Sequence, residues 1–205
     1  PDVYVVKVED QYVAVLNEEG LPQLRISPTY RRLRRPLPPG AEPGSFRDSD
    51  AVAMGWQRSV HCARVLGATA MLFQCPASFK QTEENIANLE AFFTNLNREK
   101  SRSQFNFCWE PRGDWDPKIV KSLCNDLNLW HVVDPFQTGS VTPRNCYFRL
   151  HGRGGWRYEY DDAGLRELAA MLPRRLAKSK PAYVFFNNVR MTQDALKFEA
   201  ITKQP

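Results

Sequence analysis

Residues 105–113 read Phe-Asn-Phe-Cys-Trp-Glu-Pro-Arg-Gly, a mainly apolar run that ends in a charged pair and a glycine. Three later runs have the same form, because residues 131–134, 146–152 and 183–188 are apolar stretches that also end in polar side chains. A buried strand followed by a loop and a helix is the repeating unit of parallel α/β folds, and functional residues collect at the carboxyl ends of those strands. The sequence therefore predicts a parallel α/β domain whose site lies at these strand ends.

Strand patterns alternate with helix patterns from residue 69 onward. The strands are near-continuous apolar runs, which is typical of a sheet that is covered on both faces. Short polar residues that can accept hydrogen bonds from the first backbone N–H groups of a helix precede the helical stretches. These residues are Asp48 or Ser49, Thr82, Asp116, and Asp161 or Asp162. The five predicted strands cover residues 69–75, 105–110, 130–134, 145–151 and 183–188.

Composition limits the classes of partner and the cell compartment. The net charge of +5 favours anionic partners only weakly, since much of the excess lies in two loop clusters, 31–35 and 174–180, of the kind that usually form a solvated surface. The five cysteines are odd in number and have no Cys-x-x-Cys spacing, which favours buried free thiols in a reducing cytoplasm. No segment approaches the roughly 18 apolar residues that a membrane span needs, so no membrane partner is expected.

Glu110 and Arg112 flank Pro111 at the end of one predicted strand. A carboxylate at this place can act as a base or as a metal ligand, and a guanidinium two residues later can bind a carboxylate or a phosphate. The alternative is an internal ion pair that fixes the loop. The position of the pair at a strand end favours the functional interpretation.

Asp134 and His151 end two further predicted strands. Asp134 precedes a proline and serves equally well as a turn residue. Strand alternation sends Arg149 and His151 to one face, where a cation and a titratable imidazole would lie together. Glu110, Asp134 and His151 would together provide oxygen and imidazole ligands for a divalent cation.

Other polar and aromatic residues near these strand ends have two interpretations each. Asn187 and Asn188 end the last strand and can either orient a ligand or bond to loop backbone. Tyr158 belongs to an aromatic stretch that follows the glycines at 154 and 155 and would either cover the site or pack on its rim.

Several of these runs together resemble one family. The runs are 72–79 (Leu-Phe-Gln-Cys-Pro-Ala-Ser-Phe), 109–113 (Trp-Glu-Pro-Arg-Gly), 131–136 (His-Val-Val-Asp-Pro-Phe), 147–152 (Tyr-Phe-Arg-Leu-His-Gly) and 184–188 (Val-Phe-Phe-Asn-Asn). Their order resembles the YecE-like family, the domain of unknown function numbered seventy-two, over about residues 27–205. The resemblance implies a TIM-type (β/α) barrel, here incomplete, in which the five strands are the fourth to the eighth. It also implies that six residues match motif positions around the barrel mouth: Glu110, Arg112, Asp134, Arg149, His151 and Asn188.

The first residues of the chain do not resemble that family. Residues 3–8 and 12–16 are β-branched and aromatic runs separated by Glu-Asp-Gln, which predicts a β-hairpin. Residues 1–30 resemble a fragment of the core-binding domain of the nitrogen-type sigma factor. The predicted organisation is therefore a fusion, with a hairpin segment at 1–26 and a partial barrel at 27–205.

These observations lead to one functional expectation and two alternatives. The expectation is a hydrolase or transferase for a phosphorylated or carboxylated substrate. Its catalytic residues are Glu110, Asp134 and His151, its substrate-binding residues are Arg112, Arg149, Asn187, Asn188 and Tyr158, and a divalent metal ion is a candidate cofactor. The first alternative is a non-catalytic module for anionic ligands, or an inactive truncated barrel. The second is a transcription-associated protein acting through the sigma-like segment, although about 30 residues are too few to expect binding to RNA polymerase core.

Overall fold

The structure is a computed structural model that describes residues 7–8, 11–12, 42, 44–98, 103–173 and 181–203. The chain divides into two compact units, Pro1–Ala41 and Glu42–Pro205. In the first unit, β1 (Lys7–Val8) and β2 (Gln11–Tyr12) pair in antiparallel fashion, where the sequence predicts a hairpin. The predicted domain boundary at 26/27 and both basic clusters lie outside the described residues.

The second unit contains two parallel sheets and five helices among its described residues. The first sheet has the order β3 (Ala70–Gln74), β4 (Asn106–Glu110) and β5 (Trp130–His131). The second sheet consists of β6 (Tyr147–Leu150) and β7 (Tyr183–Phe186). The helices are α1 (Asp50–Val65), α2 (Glu83–Arg98), α3 (Pro117–Asp126), α4 (Asp162–Met171) and α5 (Met191–Thr202).

The TIM-type barrel implied by the family resemblance is wrong. The described part of this unit has five short strands in sheets of three and two, and these do not close into a barrel. The apolar run at 130–134 predicts a five-residue strand, but only Trp130 and His131 pair with β4 as a ladder. The Val132 N–H still bonds to β4, whereas Val133 bonds to β6 through both its N–H and its carbonyl. The backbone therefore changes its pairing partner within two residues, and an isolated bridge between Val133 and Phe148 replaces a continuous sheet.

Helix starts lie where the sequence predicts them. Ser49, Asp116 and Asp161 are the N-caps of α1, α3 and α4, and each side chain accepts a hydrogen bond from a backbone N–H in the first turn. Thr82 accepts from the Asn85 N–H at 3.2 Å before α2. The cap residues are confirmed because this local chemistry depends on a few neighbouring residues only.

Three apolar clusters hold the second unit together. The largest packs α1, α2 and α3 on the first sheet, and the second packs α4 and α5 on the second sheet. The third cluster contains residues of both sheets. Within it, the ring centroids of Trp130 and Tyr183 are 6.0 Å apart. A hydrogen bond of 2.6 Å between the Thr69 and Tyr183 hydroxyl groups also joins the start of β3 to β7.

The cysteines are free, as the sequence predicts. Four of them are buried and Cys62 is exposed. Every helix in the described ranges is too short or too polar to cross a lipid bilayer.

Candidate functional site

Glu110 is the last residue of β4, and both of its carboxylate oxygens are bound by arginine side chains. Oε1 accepts from Nε and Nη2 of Arg112, at 3.2 and 3.1 Å. Oε2 pairs with Nη1 of Arg149, which comes from β6 in the other sheet. The Glu110 side chain is only 8% exposed, so these arginines compensate a charge that water cannot reach.

Arg149 is held from several strand ends at once. Its Nη1 donates to Oε1 of Gln74, the last residue of β3, at 2.6 Å. When the amide oxygen of Asn187 faces the guanidinium, it accepts from Nη2 at 2.9 Å and from Nε at 3.3 Å. The guanidinium is therefore fixed by acceptors that follow or end three different strands, which makes it a rigid cation.

His151 connects Arg112 to Asp134. Nη2 of Arg112 lies 3.1 Å from Nε2 of His151, and a guanidinium can only donate. Nε2 is therefore the acceptor, and the imidazole hydrogen is assigned to Nδ1. This Nδ1 lies 3.8 Å from Oδ2 of Asp134, which also accepts from the His151 backbone N–H at 2.9 Å.

Asp134 keeps its charge inside the protein. Burial would raise the pKa of its carboxyl group, but the adjacent His151 imidazole and the hydrogen bonds from the His151 and Phe136 backbone N–H groups outweigh burial. The net result is a pKa below the ordinary value of 3.8. At neutral pH the imidazole of His151 therefore lies between a carboxylate and a guanidinium.

We call this continuous set the polar network, and it consists of Gln74, Glu110, Arg112, Asp134, Arg149, His151 and Asn187. Six of the eight residues that the sequence predicts for the site belong to it. The internal Glu110–Arg112 ion pair, the alternative interpretation of that motif, is also present. The functional roles of these six residues remain predictions.

The other two predicted site residues have structural contacts instead. Nδ2 of Asn188 donates to the Tyr158 carbonyl at 2.7 Å and to Oδ2 of Asp194 at 2.6 Å. Asp194 also accepts from the Tyr160 N–H. Asn188 is 1% exposed, and these bonds fasten the loop after β6 to the start of α5.

The network does not provide the predicted ligand set for a divalent cation. No group of three or more His, Cys, Asp and Glu side chains is placed to hold a metal ion in the part of the chain that the structure describes. Glu110 is engaged by two arginines, and the Asp134 oxygens accept backbone N–H groups. These residues therefore do not fit a metal centre.

The sequence does not predict Gln74 as a member of the polar network, or the buried contacts of Asp194. Gln74 is the last residue of β3, but the apolar run predicts a strand over 69–75, which ends one residue later. Asp194 lies inside a helix pattern, and its burial depends on contacts with a distant loop that leave no local pattern.

Comparisons with known proteins support the family resemblance. The family described as "Protein of unknown function DUF72" matches residues 46–204. A DUF72 family protein from Thermotoga maritima is similar in structure, with a TM-score of 0.55 and 23% identity over 74% of this chain and 64% of that chain. A second one, from Enterococcus faecalis, has a TM-score of 0.61 and 18% identity over 80% of this chain and 70% of that chain. The chain therefore spans about two thirds of the length of these proteins, and the likeness is one of fold.

The sigma-factor resemblance at residues 1–30 is not borne out. The family match begins at residue 46, and no curated protein matches the chain. The transcription-associated alternative consequently loses the observation on which it was based.

Proposed function

We propose a function for this chain, which belongs to the DUF72 family of proteins of unknown function: it binds a small anionic molecule at Arg112. One observation carries the proposal, the sharing of the single Glu110 carboxylate by the guanidinium groups of Arg112 and Arg149. These three side chains have one positive charge in excess. A carboxylate or phosphate would neutralise it and accept charge-assisted hydrogen bonds.

Arg112 is the arginine that a ligand would reach. Its side chain is 39% exposed, compared with 17% for Arg149. Its Nε and Nη2 are engaged by Glu110 and His151, and Nη1 has no hydrogen bond to any described residue. Glu110 then acts as a positioning residue, because it holds the Arg112 guanidinium, and Arg149 acts through Glu110.

The test is a calorimetric titration of the full chain with inorganic phosphate and with acetate. Arg112→Gln is expected to weaken binding at least about tenfold, because one charge-assisted contact is lost. Arg166→Gln, an exposed arginine on α4, is the matched control and keeps the wild-type affinity. Equal affinities for wild type and Arg112→Gln would refute the proposal.

A second candidate function is acid–base catalysis on the bound anion by His151. The observation that favours it is the placement of the imidazole between Asp134 and Arg112. Asp134 would orient the ring, and an anion that draws Arg112 away would free Nε2 to take a proton. Glu110 is less suited to this role than the sequence suggests, because both of its oxygens are already bound.

Turnover distinguishes the two candidates. If the chain is an enzyme of this kind, wild type hydrolyses p-nitrophenyl phosphate or p-nitrophenyl acetate, and His151→Asn loses turnover while it keeps phosphate affinity. Hydrolysis no faster than the protein-free blank would remove the catalytic candidate and leave anion binding in place.

A further inference from the structure

A cleft lies next to Asp134, which is on the Nδ1 side of His151, whereas Arg112 is on the Nε2 side. The cleft has a volume of about 280 Å³ and opens between the loop after β5, the loop after β6 and α4. Its lining residues are Asp134, Pro135, Phe136, Gln137, Arg153, Glu167 and Met171. The anion-binding proposal gives this cleft no role.

The chain's own Arg153 guanidinium lies against the aromatic side of the cleft. The Arg153 Cζ lies over the Phe136 ring, 4.2 Å from its centroid, and Nη2 of Arg153 pairs with Glu167. A flat cation therefore makes a stacking contact and a carboxylate contact at the same time, and guanidinium is the side-chain cation best suited to both.

The residues that surround the Arg153 guanidinium are mostly held in place by other contacts. The Phe136 ring also stacks on Tyr160, at 5.7 Å between ring centroids and 25° between ring planes. Tyr160 is 1% exposed, and its hydroxyl accepts from the Gly152 N–H at 3.2 Å. Asp134 is held by the backbone N–H groups of Phe136 and His151. The aromatic wall and one of the two carboxylates are thus preformed.

The cation, in contrast, is easily exchanged. The Arg153 and Glu167 side chains are 40% and 50% exposed, and exposed ion pairs are held weakly. Without Arg153, the remaining charged groups of the cleft are two carboxylates, Asp134 and Glu167. Both the charge and the shape of the vacated space suit another flat cation.

We infer that this cleft is a binding site for guanidinium groups, and that Arg153 holds the guanidinium position between Phe136 and Glu167 until a ligand replaces it. The ligand is a small molecule or a peptide that presents a guanidinium group to Phe136 and Glu167. This inference does not rest on anion binding at Arg112.

The experiment uses the full chain and measures binding of methylguanidinium by NMR titration. Arg153→Ala removes the internal competitor and is expected to bind methylguanidinium about tenfold more tightly than wild type. Arg157→Ala is the matched control, since Arg157 lies in the same loop with its Cζ 4.9 Å from the centroid of Trp156. It should leave the wild-type affinity unchanged.

Two further measurements identify the recognition chemistry. Glu167→Gln in the Arg153→Ala background should return the affinity to the wild-type level or below, and this exposed substitution does not threaten folding. Ethylammonium should bind Arg153→Ala at least about threefold more weakly than methylguanidinium, because an ammonium cannot lie flat on a ring.

An arginine-containing tripeptide that binds as well as methylguanidinium would point to a peptide ligand, and a weaker tripeptide would point to a small molecule. Equal affinity of wild type and Arg153→Ala for methylguanidinium, or no effect of Glu167→Gln, would overturn the inference.

Discussion

Glu110 and Arg149 form a buried ion pair that joins the two parallel sheets. Glu110 ends β4 in the first sheet, and Arg149 lies in β6 in the second. Because Arg149 also binds Gln74 and Asn187, the pair holds the strand ends of both sheets in one arrangement. The stability of the fold and the geometry of the candidate site therefore depend on the same side chains.

Arg149→Met is expected to lower the free energy of unfolding by about 3 kcal/mol, because it leaves a buried carboxylate with one partner instead of two. Urea unfolding at pH 7 measures the change. Lys203→Met removes the exposed pair with Glu199 on α5 and is the control that should show no measurable loss. Similar small losses in both variants would show that the buried pair is not a major source of stability.

Stability should fall as the pH is lowered from 6.5 to 4, and His131 is the expected cause. Burial lowers the pKa of its imidazole from 6.5 to about 4, so the unfolded chain takes up a proton in this range before the folded chain does. Proton uptake by the unfolded state lowers the free energy of unfolding, by an amount on the order of 3 kcal/mol over the whole range. Above pH 6.5 both states are neutral at this residue and the effect disappears.

His131→Asn tests the origin of this pH dependence. Nδ1 of His131 accepts from the Val141 N–H at 3.2 Å, and the asparagine Oδ1 can replace that acceptor. The variant should have a flatter profile of unfolding free energy between pH 4 and 6.5. A profile as steep as that of wild type would assign the effect to other groups.

Gly152→Ala should be far more destabilising than Gly155→Ala. Both glycines have positive φ angles, +84° and +98°, so each substitution costs about 1–2 kcal/mol of backbone strain. At Gly152 the added Cβ would also collide with the Gly155 carbonyl and lie 2.6 Å from the Tyr158 Cβ, whereas at Gly155 it meets nothing within 4 Å. Thermal unfolding of the two variants measures the difference, and equal melting temperatures would contradict the close packing of this loop.

Thiol titration should distinguish one cysteine from the other four. Cys62 is exposed and should react with Ellman's reagent in the native chain. Burial raises the pKa of Cys75 and Cys146 to about 11 and that of Cys124 to about 12, so these thiols carry little of the reactive thiolate at pH 8. Cys62→Ser should abolish the fast phase, and a fast phase that persists would place another thiol at the surface.

Local chemistry could be predicted from the sequence more fully than the assembly of the sheets. The apolar strands and the capping residues Ser49, Asp116 and Asp161 depend on near neighbours. The polar strand ends also meet as expected, since parallel strands place their carboxyl ends on one side. The barrel implied by the family resemblance is wrong. The apolar run at 130–134 does not reveal where the chain changes its pairing partner, which happens at Val132 and Val133.

The partners within the site could not be read from sequence spacing. Glu110 and Arg149 come from different strands, and no fixed interval connects such residues. The Glu110 and Arg112 motif is compatible with ligand binding and with an internal ion pair. In the structure the two side chains form the ion pair, and Arg112 stays partly exposed. Asn188 lies at a strand end, where ligand contact was one of its two predicted roles. It is buried instead, and its side chain bonds to the loop backbone at Tyr158.

The change of partner at Val132 and Val133 has a consequence for cooperativity. In the described part of the chain, Val133 alone carries backbone hydrogen bonds from one sheet to the other, and the remaining connections are side-chain contacts. Each sheet packs against its own helices and apolar cluster. We therefore expect each sheet to behave as a separate cooperative unit in native-state hydrogen exchange. The amides of β6 and β7 would then open and exchange as one group while those of β3 and β4 stay protected. The Glu110–Arg149 pair would add to the free-energy cost of separating the two groups, together with the apolar cluster that contains residues of both sheets.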